Sequence, residues 1–156
     1  MTASIGPHIG QQAPEINLPD GYGNRWVLSD YRGKTVVLLF YPGDETPVCT
    51  KQLCSVRDNW EQYKQTGAEV VGLNTDSVEK HRAFAEHYGL PIRLLSDAEG
   101  MVIRAYEMKA IFGTRRGVVV IDPEGTIRFR KVVLPIFRPG DDEVLDAIRH
   151  AQKTEV

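Results

Sequence analysis

The stretch that most constrains this chain is Thr35–Tyr41, TVVLLFY. An unbroken run of β-branched, aliphatic and aromatic residues suits a strand covered on both faces. Pro42 stops it, because proline cannot donate to a sheet ladder. The loop Gly43-Asp44-Glu45 then leads to Thr46-Pro47. Threonine at an N-cap and proline at the first helical position predict a helix starting at Pro47. That helix is expected to reach about Gln65 and to stop at Gly67.

The remaining pattern alternates in the same way. Ala68–Asn74 (AEVVGLN) reads as a second buried strand. Ser77 caps a helix that continues to about Tyr88 and stops at Gly89. Ile92–Leu95 is a third, short strand, and Glu99–Tyr106 a short helix. Gly117–Asp122 and Thr126–Val133 flank Pro123-Glu124-Gly125, the signature of a hairpin. Asp141 or Asp142 caps a last helix in which Val144, Leu145 and Ile148 share one face. In front, Glu15–Leu18 and Arg25–Leu28 enclose turn-rich residues and predict a short hairpin. Ser29–Gly33 reads as a tight helical turn, and residues 1–13 as a loose arm whose Ile5 and Ile9 can pack on the body. The order βαβαβαββα behind a hairpin implies an α/β fold with a central mixed sheet flanked by helices. Its 156 residues suit a single domain spanning the whole chain.

Composition narrows the function. Hydrophobic residues make up 42% and charged residues 26%, as in a soluble globular protein. The net charge of -2 offers no basic excess for nucleic acid or an anionic membrane. No apolar run is long enough to cross a bilayer. The start, MTASIGPHIGQQAP, lacks the basic and apolar regions of a secretory signal. These features read as cytoplasmic, a compartment that keeps thiols reduced. Two cysteines there are candidates for catalysis, metal binding or packing rather than staples.

Cys49 falls in the first turn of the helix that follows the buried strand. Unpaired backbone N–H groups and the helix dipole both favour a thiolate there. The C-terminal end of a central strand is also where open α/β folds place ligands. Cys54 follows five residues later. Along a helix that spacing rises about 7.5 Å and turns about 140°. It leaves the Cα atoms roughly 8–9 Å apart, beyond the about 4.4–6.8 Å usual for a disulfide. An intact helix keeps the sulfurs apart. Bonding would require its first turns to unwind, which favours a cycling pair over a permanent cross-link.

Pro42-x-x-x-Thr46-x-x-Cys49 resembles the active-site pattern of the peroxiredoxins. A second cysteine five residues on resembles their Q-type subgroup, the bacterioferritin comigratory proteins. Supporting matches are Ala13–Leu18, Phe40-Tyr41-Pro42, Thr50-Lys51-Gln52, Arg57-Asp58, Leu95-Ser96-Asp97 and Val120–Gly125. The resemblance implies a thioredoxin-like fold and a thiol peroxidase acting on hydrogen peroxide and organic hydroperoxides. Cys49 would be the peroxidatic nucleophile and form a sulfenic acid. Thr46 would accept a hydrogen bond from the peroxide or donate one to the thiolate. Pro42 would shield the sulfur from water, and the N–H groups near Val48 and Cys49 would hold developing charge. Arg116, or its neighbour Arg115, would supply the guanidinium the family brings from a distant strand. Cys54 would close a disulfide with Cys49, and thioredoxin or a similar dithiol would reopen it. No cofactor or metal is implied, and the subgroup suggests a monomer or weak homodimer. Gly43 and Val48 depart from the family, which often has lysine and glycine there.

Plainer readings stand beside these. Either cysteine could be a packing residue, Thr46 only an N-cap, Pro42 only a strand terminator and Arg116 only a solvated charge. Zinc binding by the cysteines lacks the spacing of a zinc knuckle. His81 and His87 read as surface residues, and His8 and His150 carry no functional signal. Lys51, Arg57 and Asp58 read as solvated charges, and Trp26 and Trp60 as packing residues. A disulfide reductase normally needs Cys-x-x-Cys, which is missing here. A redox sensor or thiol-regulated binding module on the same fold shares the Cys49 chemistry and is separated from a peroxidase by turnover. The spacing argument yields one expectation of its own. Oxidation to a Cys49–Cys54 disulfide should lower far-ultraviolet helical circular dichroism relative to the reduced protein, and an unchanged spectrum would contradict it.

Overall fold

The apolar run after Thr35 is covered on both faces because it lies at the centre of a five-stranded sheet. The computed structural model describes residues 4–134 and 136–153. In chain order it contains β1 (Asn17–Pro19), β2 (Arg25–Val27), β3 (Val36–Phe40), α1 (Pro47–Asp58), α2 (Trp60–Gln65) and β4 (Glu69–Asn74). Then come α3 (Val78–Tyr88), β5 (Arg93–Ser96), α4 (Met101–Ala105), β6 (Arg116–Ile121), β7 (Ile127–Val133) and α5 (Asp141–Lys153). The sheet order is β5-β4-β3-β6-β7. β3, β4 and β5 run parallel, and β6 and β7 add antiparallel strands at the other side. β1 and β2 form a separate antiparallel hairpin, as the turn chemistry between them predicts.

Side chains alternate across β3, so the run feeds two cores. Val37 and Leu39 pack with Leu53 of α1, Phe84 of α3 and Ile148 of α5. Val36, Leu38 and Phe40 pack with Trp26 of the hairpin and Ile103 of α4. Trp26 also stacks on Tyr31 and donates its Nε1–H to Glu69. Trp60 packs against the first core. Both tryptophans are packing residues, as expected.

Four sequence expectations need correction. The helix from Pro47 does not run unbroken to Gln65. Asn59 leaves helical geometry at φ -105° and ψ 18°, and its side-chain amide donates to the Ser55 carbonyl at 2.9 Å. The break at this one residue separates α1 from α2. Within its described residues, from Ser4 on, the arm is not loose. Gly10 N–H donates to Ile127 O at 2.8 Å, Ile127 N–H to Gln11 O at 2.9 Å, and Ala13 N–H to Gly125 O at 2.9 Å. Residues 10–13 thereby tie to the β6–β7 turn. The backbone makes this attachment, and Ile5 and Ile9 stay exposed. Finally, α4 starts at Met101 rather than Glu99, because Gly100 adopts φ 74°, outside helical geometry.

Three tyrosine hydroxyls make internal hydrogen bonds, one local and two between distant segments. Tyr41 donates to Asp44 Oδ1 at 2.5 Å, Tyr63 to Asp141 Oδ1 at 2.6 Å and Tyr106 to the Pro14 carbonyl at 2.5 Å. Burial raises the pKa of each, and the carboxylates beside Tyr41 and Tyr63 raise theirs further. In the unfolded chain tyrosine ionises at about pH 10. A folded-state pKa above that value adds stability that is complete below about pH 10 and is lost as pH rises beyond it. The urea midpoint should therefore fall between about pH 9 and about pH 11, and a constant midpoint would contradict it.

Candidate active site

Backbone register brings the site together. β6 runs antiparallel to β3 with Gly117 opposite Phe40, so Arg116 sits at the end of the sheet where β3 gives way to Tyr41 and Pro42. α1 begins at that same end. Cys49, in its first turn, is 0% exposed, and Arg116 is 1% exposed. Arg116 Nη2 donates to Cys49 Sγ at 3.0 Å, and Arg116 Nη1 donates to Gln52 Oε1. Gln52 lies one turn after Cys49 on α1. A buried guanidinium thus grips the helix at the sulfur and at a neutral acceptor. Arg115 is exposed, which settles the choice of the arginine facing the sulfur in favour of Arg116. Next to it, a Cβ on Gly117 would stand 2.8 Å from Met108 Sδ, so this glycine makes room for a buried methionine.

Thr46 occupies the N-cap position of α1 and Pro47 its first turn, as predicted. The capping bond itself is not formed: the Thr46 hydroxyl donates to the Gly43 carbonyl at 2.9 Å. A hydroxyl has one proton, so with that proton committed Oγ1 can only accept from a ligand. The first backbone bond into the helix runs from Thr50 N–H to Thr46 O at 2.8 Å. Val48 and Cys49 thus have no intrahelical acceptor for their N–H groups.

Pro42 is half-buried and, with Arg116, forms the inner end of an open groove of about 820 Å³. Ile111, Phe112, Val132 and Leu134 line it, with Lys109 and Arg115 at its rim. Ile111 and Phe112 are 90% and 92% exposed.

Cys54 is half-buried on the same unbroken helix, and both cysteines are free thiols. Continuous α-helix between them holds the separation that the spacing implies. Behind Cys54 the helix is anchored: Ser55 Oγ and Asn59 Nδ2 both bond Asp141, the first residue of α5.

The loop before α1 rests on a buried polar cluster that the sequence reading missed. His81 was read as a surface residue; it is 0% exposed. Its Nδ1 lies 2.6 Å from Asp44 Oδ2, and its Nε2 lies 2.9 Å from the Leu95 carbonyl. Asp44 Oδ1 accepts the Tyr41 hydroxyl, and the Asp44 N–H donates to Asp76 Oδ2 at 2.8 Å. A signal for His81 was present, since it shares a face of α3 with buried Phe84 and Ala85 at helical spacing. His87 is exposed as expected, and His8 and His150 are exposed too. Arg57 pairs with Asp58 and also donates to the Tyr88 carbonyl.

A mixed sheet of this order, with a cysteine at the start of the helix after its central strand, is the thioredoxin-like fold in its peroxiredoxin form. Residues 9–130 match the AhpC/TSA family, and the chain belongs to that family, within its peroxiredoxin Q and Bcp group. It is 45% identical over 122 residues to chloroplastic peroxiredoxin Q of Sedum lineare, covering 76% of this chain and 66% of that protein. It is 40% identical over 134 residues to peroxiredoxin Bcp of Bacillus subtilis, covering 80% of this chain and 85% of that one. Against the chloroplastic relatives of Triticum aestivum and Gentiana triflora it spans 57% and 56% of their length. The peroxidoxin BcpB structure from Mycobacterium tuberculosis matches with a TM-score of 0.82 and 31% identity, over 92% of this chain and 97% of that one. A bacterioferritin comigratory protein of Xanthomonas campestris, described for its alkyl peroxide reduction activity, matches with a TM-score of 0.80 and 26% identity. It covers 88% of this chain and 92% of that one.

The guanidinium contact is open to a direct test. Charge-assisted hydrogen bonds are worth about 1.5–3 kcal/mol. Arg116→Ala should slow alkylation of Cys49 by iodoacetamide about tenfold or more, while Arg115→Ala should leave it unchanged. Equal rates in all three proteins would remove Arg116 from the site.

Proposed function

We propose that this chain is a thiol-dependent peroxidase that reduces hydrogen peroxide and organic hydroperoxides through Cys49. The observation that carries this reading is the buried Arg116 guanidinium 3.0 Å from the Cys49 sulfur. A fixed positive charge in a low-dielectric pocket favours the thiolate and the charge that develops on a breaking O–O bond.

In the first step the Cys49 thiolate attacks one peroxide oxygen. The S–O bond forms, the O–O bond breaks, and the leaving oxygen departs as water or an alcohol after taking a proton. Sulfur is oxidised to a sulfenic acid and the peroxide is reduced. Thr46 Oγ1 accepts from the peroxide O–H. The Val48 and Cys49 N–H groups and Arg116 hold the developing negative charge. Pro42 limits water at the sulfur. The groove beside Pro42 and Arg116 gives the organic part of a hydroperoxide an apolar surface, in keeping with the activity named for the Xanthomonas protein.

In the second step the Cys54 thiolate attacks the sulfenic sulfur, releasing hydroxide and closing a disulfide. The first turns of α1 unwind to allow it. A thioredoxin-like dithiol then exchanges with the disulfide, restoring two thiols and leaving oxidised itself. Both cysteines belong to one chain, so the cycle requires no second subunit. It does require a compartment that keeps dithiols reduced, such as the cytoplasm.

Peroxide consumption with a thioredoxin recycling system tests the reading. Cys49→Ser should fall to background. Cys54→Ser should lose about tenfold or more with thioredoxin yet still form one equivalent of sulfenic acid. Steady turnover by Cys49→Ser would end the proposal. A wild-type protein that oxidises once and does not cycle would instead favour a redox sensor.

A further inference from the structure

We infer that Asp44 and His81 form a latch that positions the Pro42–Thr46 loop for the peroxide step, an inference that rests on the peroxidase reading above. Neither residue touches the sulfur. Both side chains are fully buried, and they join the loop to α3 across 37 positions of sequence.

Hydrogen-bond accounting determines their state. A carbonyl only accepts, so His81 Nε2 carries a proton and donates it to Leu95 O. One further proton lies between His81 Nδ1 and Asp44 Oδ2, which are 2.6 Å apart. Asp44 Oδ1 accepts from Tyr41, whose hydroxyl stays protonated because burial and Asp44 raise its pKa. The pair therefore carries no net charge, which is how a buried acid and base avoid a large desolvation cost.

The latch acts on the site through the loop backbone. The Asp44 N–H is held by Asp76, and Asp76 Oδ2 also accepts from the Asn74 side chain at 3.1 Å. The residue before Asp44 is Gly43, whose carbonyl accepts the Thr46 hydroxyl and so leaves Oγ1 to accept from a ligand. The residue after it, Glu45, sits at φ 65°, a left-handed conformation that a glutamate rarely adopts. Such strain persists only where the surroundings impose it. Asp44, fixed on one side of Glu45, and α1, started on the other, impose it here. Loss of the latch would let Glu45 relax, swing the Gly43 carbonyl and misplace Thr46 and the first N–H groups of α1.

Asparagine can replace Asp44 in this geometry. Its amide can donate to a neutral His81 Nδ1 and still accept from Tyr41, whereas alanine can do neither. Stopped-flow oxidation of the reduced variants by hydrogen peroxide and, separately, reduction of their disulfides by dithiothreitol give the test. Asp44→Ala should slow the peroxide step about tenfold or more, with the dithiothreitol step within about twofold of wild type. Asp44→Asn should recover most of the lost peroxide rate. Unchanged peroxide oxidation in Asp44→Ala, an equal deficit in Asp44→Asn, or an equal slowing of both steps would overturn the latch. Should Asp44→Ala not fold, Asp76→Ala removes the partner of the Asp44 N–H at a less buried position. It should slow the peroxide step about threefold or more, and a wild-type rate there would also overturn the latch. Wild-type protein that fails to react with peroxide would sink the peroxidase reading itself.

Discussion

The contact between the Arg116 guanidinium and the Cys49 sulfur organises this end of the molecule. Its two partners come from opposite ends of the chain's αβ portion, and only the antiparallel pairing of β3 with β6 brings them level. Burying an arginine is expensive unless its donors are met. Here Gln52, one turn along α1, takes a second N–H group. One cation is thereby fastened to the helix at two points, and the helix start cannot shift without uncovering a buried charge. The sheet register, the first turn of α1 and the sulfur are mechanically one unit.

In the proposed cycle that unit faces opposed demands. Attack on a peroxide favours a helix start held still, because the reacting atoms must meet in line and the N–H groups must point at developing charge. Disulfide closure requires the same turns to come undone, since Cys49 and Cys54 lie five residues apart on a continuous helix. The anchoring is distributed accordingly. Asp44, with Tyr41 and His81, secures the loop ahead of α1. Asp141, with Ser55 and Asn59, secures the helix just beyond Cys54. The two carboxylates bracket the segment that would change shape in that cycle. Core packing through Leu53 and Val56 lies within that bracket on the side facing the sheet. In that cycle unwinding would sacrifice some apolar burial, and the disulfide would have to offset that loss.

The groove beside Pro42 stands apart from these polar anchors. It opens from the end of β6 across exposed Ile111 and Phe112, so apolar surface reaches water beside the buried cation. An amphipathic substrate would meet both surfaces in one approach. Organic hydroperoxides have that character, with a polar reacting end on an apolar body.

Local physics made much of this legible in the residues alone. The run at 35–41 announced a covered strand, Thr46-Pro47 announced the helix start, and together they put Cys49 at a strand-to-helix handover. The Ser77 start and Gly89 stop of α3 were equally local, and both were observed, with Lys80 N–H bonded to Ser77 Oγ and Gly89 in the left-handed region. These features depend on φ preferences and on donors within a few residues, which adjacent sequence encodes. What adjacent sequence did not encode was every choice made across the fold. Arg116 and Arg115 differ only in which one the sheet pleat turns inward. His81 looked like a surface residue until Asp44, from another element, arrived to share its proton. Asn59 left helical geometry within an otherwise helical periodicity, and residues 10–13 were fastened by backbone groups that any sequence carries. Sequence by itself determined the sulfur, its helix and its strand. Tertiary structure decided which charges surround that sulfur, because burial turns on long-range packing and a buried charge is tolerated only beside a partner that the chain brings from far away.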